Sequence, residues 1–446
     1  MSALAKTRCA TVLASALIAG QSLAGMGNIG TNYGILPMDV GSAQALSMFN
    51  PQVSAIYYNP GYLTEDPRGE LTLGLLHGDH ELRATSVDGN GYNVRTGDVL
   101  DDTPTQQQLI GLKTDLTDLT KYDMPIYFGV MIGVEKYGKE MLAFDASTSR
   151  EGQYLTYGRQ PLFLNLGGAM EALHGISVGA SALVTLHSEA ELVAEADLAG
   201  NTQYETLTAN ANPSIRPVVG VNLDWGKLIC GNNDCITRNL ETAFAFRGHS
   251  TAKTSVTSNI TIPGTVNEPG VTIMIDAIDS YQPDIMSFGV HYRFTDNLRV
   301  AASVEQQNWS DLSEELARDT VRDQANLQFE DVTVPRIGAE LAVGEHFLFT
   351  AGIAVQDSPL KSVRSEDVNY FDNDRIIVGL GSTLRLDDPP ILAYPLRLDF
   401  GYQYQQLKER DFELTTSNPD NPSNPYERVS ADGDVHVFSG SLTLKF

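Results

Sequence analysis

The chain has 446 residues with 30 basic and 56 acidic side chains, a formal charge of −26, which argues against nucleic acid as a partner. A length of this order ordinarily divides into two or three soluble domains, yet no linker divides it. No apolar run beyond residue 24 approaches the roughly 20 residues of a membrane helix, which excludes a helical membrane protein but not a membrane barrel, whose strands need about 9 to 11.

Residues 1–24 read as a secretory signal peptide. Lys6 and Arg8 form its basic start, residues 10–19 its apolar stretch, and Ser22, Leu23 and Ala24 a small-residue cleavage site. The mature chain is then expected to start at Gly25 outside the cytoplasm, with 28 basic against 56 acidic side chains left, or −28. Gly25 to Gly30, "GMGNIG", matches a dinucleotide fingerprint letter for letter, but that motif works only between a strand and a helix, and here it follows a cleavage site. Further on, "YYNPGYL" places Tyr57, Tyr58 and Tyr62 around Asn59-Pro60-Gly61. Pro60 fixes its φ and Gly61 permits a positive one, so the backbone is expected to reverse there.

From residue 70 onward the apolar period is two. Leu71, Leu73 and Leu75 oppose Glu70, Thr72 and Gly74; Leu396, Leu398, Phe400, Tyr402 and Tyr404 oppose Arg397, Asp399, Gly401, Gln403 and Gln405. Similar segments lie near 125–134, 161–169, 174–187, 214–225, 240–249, 285–294, 298–305, 335–343, 347–356, 374–386 and 434–446, with weaker ones near 79–87, 140–147 and 270–278. The expectation is an all-β, closed transmembrane barrel, because hydrocarbon cannot satisfy the open edge of a sheet. Short turns on one side and long polar segments on the other favour this over a soluble β-solenoid or a pair of sandwiches. One segment breaks the period: Leu109, Leu112, Leu116 and Leu119 recur at spacings of three and four, which predicts an amphipathic helix in a loop. Cys230 and Cys235 flank "GNND", where a disulfide fits an oxidising compartment better than a metal site with too few ligands. The chain ends on a strand with Phe438, Leu442, Leu444 and Phe446 on one face.

The order of a signal peptide, a small-residue segment with an Asn-Pro turn, "QPDIMSFGV", Trp309-Ser310, "FTAGIAVQDSPL" and "DNDRIIVGLGSTLRL" resembles the FadL/TodX family of outer-membrane transporters for hydrophobic compounds. The resemblance implies about 14 antiparallel strands over residues 69–446 and an N-terminal hatch, residues 25–68, folded inside the barrel. The family's Asn-Pro-Ala hatch turn maps onto Asn59, Pro60 and Gly61, with Gly in place of Ala. The implied action is passive. A hydrophobic small molecule, a long-chain fatty acid or an alkane, is captured by the loops, held in a pocket near the hatch and released through a lateral opening. The implied pocket residues are Gly25, Met26, Ile29, Tyr33, Ile35, Tyr57 and Tyr58, and the implied capture residues Leu109, Leu112, Leu116 and Leu119. Outer-membrane lipid and lipopolysaccharide, and the assembly machinery reading the strand that ends at Phe446, are further expected partners of a monomer in a Gram-negative outer membrane.

No H-E-x-x-H or Cys/His cluster supports a metal, no cofactor is expected, and His174 and His187 with nearby serines are too generic to make an enzyme. A general porin and a surface adhesin are the alternatives, and the plug-like segment disfavours the porin. The net charge of −28 shades the ligand towards neutral alkanes, though salt screens that field beyond roughly 8 Å.

Overall fold

The structure is a computed structural model that describes residues 28–29, 33–87, 104–119, 121, 124–136, 162–196, 202–230, 235–262, 266–317, 327–366, 372–415 and 427–446. Seven strands lead up one side: β1 (Glu70–Ser86), β2 (Thr105–Asp115), β3 (Ile126–Lys136), β4 (Leu162–Leu173), β5 (Ile176–Ala196), β6 (Thr202–Asp224) and β7 (Leu240–Arg247). A hairpin, β8 (Ser250–Ile262) and β9 (Val266–Gln282), leaves the wall, and seven more strands complete it: β10 (Asp284–Arg293), β11 (Leu298–Asn308), β12 (Val332–Val343), β13 (Phe347–Gln356), β14 (Arg375–Leu386), β15 (Leu396–Thr415) and β16 (Glu427–Lys445). β7 pairs directly with β10, and β16 pairs antiparallel with β1, so fourteen strands form a closed antiparallel barrel.

The alternation sets the two faces. In β1 every second residue is buried, and the exposed ones include Leu71, Leu73 and Leu75, while Thr72, Gly74 and His80 face inward. In β15, Phe400 is 64% exposed while Asp399, Gln403 and Gln405 are buried. The inversion of the soluble pattern is what a hydrocarbon solvent selects. The expected segment 79–87 is the upper half of β1, 270–278 belongs to the hairpin, and 140–147 lies outside the described residues.

Gly69 and Phe446 exchange backbone hydrogen bonds of 2.8 and 2.9 Å at one end of the barrel. The short turns 174–175, 294–297 and 344–346 share this end, and the strand ends at Ser86, Thr105, Asn308 and Val332, separated by long stretches of sequence, lie at the other. Short turns mark the periplasmic end. The helix predicted around Leu109–Leu119 is therefore a correction: residues 105–115 are strand β2, and Thr117–Leu119 is a 3-10 turn at the periplasmic end, away from the extracellular end. Leu109 faces inward at 4% exposure and Leu112 outward at 40%, because an odd spacing puts two strand residues on opposite faces.

Residues 33–68 fill the lumen with α1 (Pro37–Gly41), α2 (Ala55–Tyr58) and 3-10 turns at Ser47–Phe49 and Pro60–Glu65. Leu36, Val40, Leu46, Phe49, Ile56 and Leu63 are fully buried. Inward glycines let the hatch approach the wall, by its backbone at Pro37, Gly41, Ser42 and Pro60 and by its side chains at Phe49, Val53 and Ile56. Pro37 sits on Gly401, Gly41 on Gly381, Ser42 on Gly352 and Phe49 on Gly289; after residue 50 the chain crosses the lumen, with Val53 on Gly111, Ile56 on Gly129 and Pro60 on Gly179. A Cβ at Gly401, Gly352, Gly289, Gly111, Gly129 or Gly179 would stand under 3.0 Å from a hatch atom, and one at Gly41 would stand 2.7 Å from Gly381. Ala43 and Gln44 bend the chain after α1 at φ 48° and 64°, a left-handed geometry unfavourable by about 1–2 kcal/mol per non-glycine residue.

Candidate ligand-binding site

The hatch turn lies against β5 and β6. Asn59 Nδ2 donates to the Met48 carbonyl at 3.1 Å, and Pro60 opens a 3-10 turn. Gly61 is not among the residues with positive φ. A methyl there would stand 3.0 Å from the Gly220 oxygen and 3.1 Å from that of Ser177, so close approach rather than backbone freedom explains the glycine.

The three tyrosines around this turn reach polar groups on the wall. The Arg247 guanidinium lies over the rings of Tyr57 and Tyr58 at 5.3 and 5.4 Å, a cation–π clamp. Tyr62 Oη donates to Glu241 at 2.9 Å. Tyr33 is buried with Oη 2.7 Å from His80 Nε2, and Ile35 is buried in a cluster with Leu36, Val53 and Ile56. Ile29 pairs through its backbone with Tyr281, and Gly25 and Met26 lie outside the described residues. Cys230 and Cys235 are disulfide-bonded, with Cα atoms 5.8 Å apart, in the periplasmic connection between β6 and β7.

Above the hatch the interior carries an apolar cluster. Trp309, Leu312, Phe329, Val334, Val435 and Val437 belong to one buried cluster whose foot is Tyr33, Val40 and Ala43 of the hatch. Trp309 donates to Gln307 Oε1 at 2.9 Å and stacks on Phe329 with ring centroids 6.5 Å apart. Trp309 also lines a neighbouring cavity of about 60 Å³ bounded by Gln44, Tyr57, Arg216, Arg247, Glu305 and Arg336.

In that cavity Glu305 accepts from Arg247 at 2.5 Å and from Arg336 at 3.1 Å, while Arg216 donates to the carbonyls of Gly248 and Pro283 and to Gln282. Three lining arginines thus face one lining carboxylate. Nε of Arg247 and of Arg336 has no partner among the described residues. Arginines outnumber carboxylates here in a chain whose formal charge is −26, so the average-charge argument for neutral ligands does not describe this cavity: charges a few ångströms away outweigh distant screened ones. Nothing in the spacing announced this cavity, although Arg247 at an inward position after Ala243 and Ala245 is the one visible signal.

Within the hatch, burial pushes the Asp39 carboxyl up to about 6, against hydrogen bonds from the Leu36 N–H and Asn50. Its Oδ2 accepts from Leu36 N at 3.0 Å and its Oδ1 from Asn50 Nδ2 at 3.3 Å. Asp39 thereby ties the start of α1 to the middle of the hatch. Asp372 and Asp374, in "FDNDR", are spent on protein partners: Asp372 holds Arg375 at 2.6 Å and Ser358 Oγ at 2.8 Å, and Asp374 accepts from Ser358 N at 2.9 Å.

The family model described as outer membrane protein transport protein (OMPP1/FadL/TodX) matches residues 162–446. The chain belongs to this family. Alkane uptake protein A of Marinobacter nauticus is 47% identical over 443 residues, 98% of this chain and 95% of that protein. A FadL homologue of Pseudomonas aeruginosa shares 16% identity at a TM-score of 0.58, over 94% of this chain and 99% of its own. The toluene transporter TodX of Pseudomonas putida shares 12% at 0.52, over 93% and 99%. At such identity the two structures support the fold alone. As a FadL/TodX barrel, the chain is an outer-membrane transporter of hydrophobic compounds and not an enzyme.

Proposed function

We propose that this FadL/TodX barrel takes up long-chain alkanes by energy-independent diffusion. The observation that carries the substrate is the 47% identity, over nearly the whole chain, to a protein named for alkane uptake. The apolar cluster from Trp309 to Val437 supplies the surface such a ligand needs. The hatch, seated on wall glycines from β15 round to β5, bars a straight path to the periplasm, which favours release through the wall. The best candidate opening lies above β7: pairing of β6 with β7 stops at Val218↔Arg247, while β6 itself extends to Thr202. The strand ending at Phe446 serves recognition by the assembly machinery, and lipopolysaccharide surrounds the upper barrel.

A second reading, a long-chain fatty acid, is favoured by the arginine cavity beside Trp309. Competition binding of a long-chain alkane against the fatty acid of equal length decides between them. Preference for the alkane is expected; clear preference for the acid selects the second reading, and binding of neither sinks both.

A further inference from the structure

The outward face carries a hollow where β14, β15, β16 and β1 run side by side. Two cross-strand rows bound it, Ser382–Phe400–Gly440–Leu75 and Leu380–Tyr402–Phe438–His77. Phe400, Phe438, Leu380 and Leu75 are 64, 53, 57 and 62% exposed and form its walls. Its floor is Gly440, where an added Cβ would meet only the Asp399 carbonyl oxygen, at 4.0 Å. The hollow measures about 590 Å³, within the roughly 300–1,000 Å³ of pockets that hold small apolar ligands.

Behind the hollow the wall is shut. Pairing is unbroken from Arg375↔Leu407 to Leu386↔Leu396, from Leu396↔Leu444 to Leu407↔Gly433, and from Val429↔Ser86 to Lys445↔Glu70. The hatch backs the same patch, with Pro37 on Gly401 and Gly41 on Gly381. A molecule in the lumen therefore has no route to it, and an occupant comes from the bilayer. Above the hollow, Tyr402 Oη lies 2.8 Å from His436 Nδ1 and Arg83 pairs with Asp434 at 3.5 Å, the aromatic and polar belt expected at head-group level.

We propose that this hollow seats one hydrocarbon chain of an outer-membrane lipid, held between Phe400, Phe438 and Leu75 over Gly440. The hollow is continuous with the lipid-facing surface of the barrel, which supplies the occupant. Lipid tails are as apolar as the wall, so the chain gains van der Waals contact rather than hydrophobic free energy, and the seat selects by shape.

The test is native mass spectrometry of the full-length barrel after detergent has stripped the loosely held lipid shell. The wild type is expected to keep one lipid, Gly440→Phe to lose it, and Ala302→Phe, on the outward face of β11, to keep it. Ser382→Phe, which fills the hollow from the adjoining strand, should reproduce the loss. Heat-modifiable gel migration checks folding, and wild-type migration is expected because the Gly440 side opens on free space. Retention of the lipid by both filling variants, or no retained lipid in the wild type, overturns the seat. So does a dimer that Gly440→Phe dissociates, which makes a second copy the occupant, and so does loss of hydrocarbon uptake with lipid retention unchanged.

Discussion

Arg336 of β12 donates to the Ala43 carbonyl oxygen at 3.0 Å, and the same guanidinium holds Glu305 at 3.1 Å. One wall side chain thus fixes both the left-handed bend of the hatch and the charge of the cavity beside Trp309. Arg336→Ala leaves Glu305 its contacts with Arg247, Ser287 and Gln307 and frees the bend. Because Arg247 still neutralises Glu305, the loss stays below that of a fully broken buried pair and matches hydrogen bonds to a charged group, about 1.5–3 kcal/mol; a fall of that size in urea unfolding from vesicles is expected, with Arg336→Lys recovering part of it.

The glycine seats predict a graded series. Gly352→Ala places a methyl on the Ser42 backbone and Gly401→Ala one on Pro37, overpacking of about 1–3 kcal/mol each. Gly61→Ala, whose methyl meets two wall oxygens at 3.0 and 3.1 Å, should fall at about 1 kcal/mol, the low end of that range. Gly440→Ala opens on free space and should be near neutral. Unfolding midpoints rank the four, and equal effects would separate the hatch from the wall glycines.

Asp39 predicts a pH dependence. The folded protein holds its proton at about 6, against 3.8 for a free carboxyl, so the folded state binds more protons in that interval. Its contribution is most favourable below about pH 4 and is lost as pH rises through about 6, a difference of about 3 kcal/mol. Other carboxylates titrate in the same window, so the signal is the difference between wild type and Asp39→Asn. Relative to wild type, Asp39→Asn should gain stability between pH 4.5 and 7.5, and parallel curves would refute the assignment.

Ligand discrimination can be read at Arg216. If the cavity receives a carboxylate, Arg216→Gln should weaken fatty-acid binding about tenfold, or 1.4 kcal/mol, while alkane affinity stays put. Equal affinities for the acid in both proteins would leave the arginine as a staple joining β6 to Gly248 and Pro283, where the hairpin departs from the wall.

Alternation along residues such as Leu71 to Leu75 and Leu396 to Tyr404 was enough to specify strands, faces and a closed barrel, because a side-chain period of two is local and hydrocarbon tolerates no open edge. The leucines from Leu109 to Leu119 imitate helical spacing because Leu109 and Leu112 lie on opposite faces of one strand and Leu119 ends the 3-10 turn that follows it. The family's hatch turn marked Asn59 to Gly61, but why Tyr57 and Tyr58 are aromatic depends on Arg247, nearly 190 positions away. The glycine seats, the arginine cavity and the end of the barrel at which each turn lies depend equally on which strand neighbours which. Closure alone brings those residues together, so tertiary structure decided the site while the sequence by itself decided the wall.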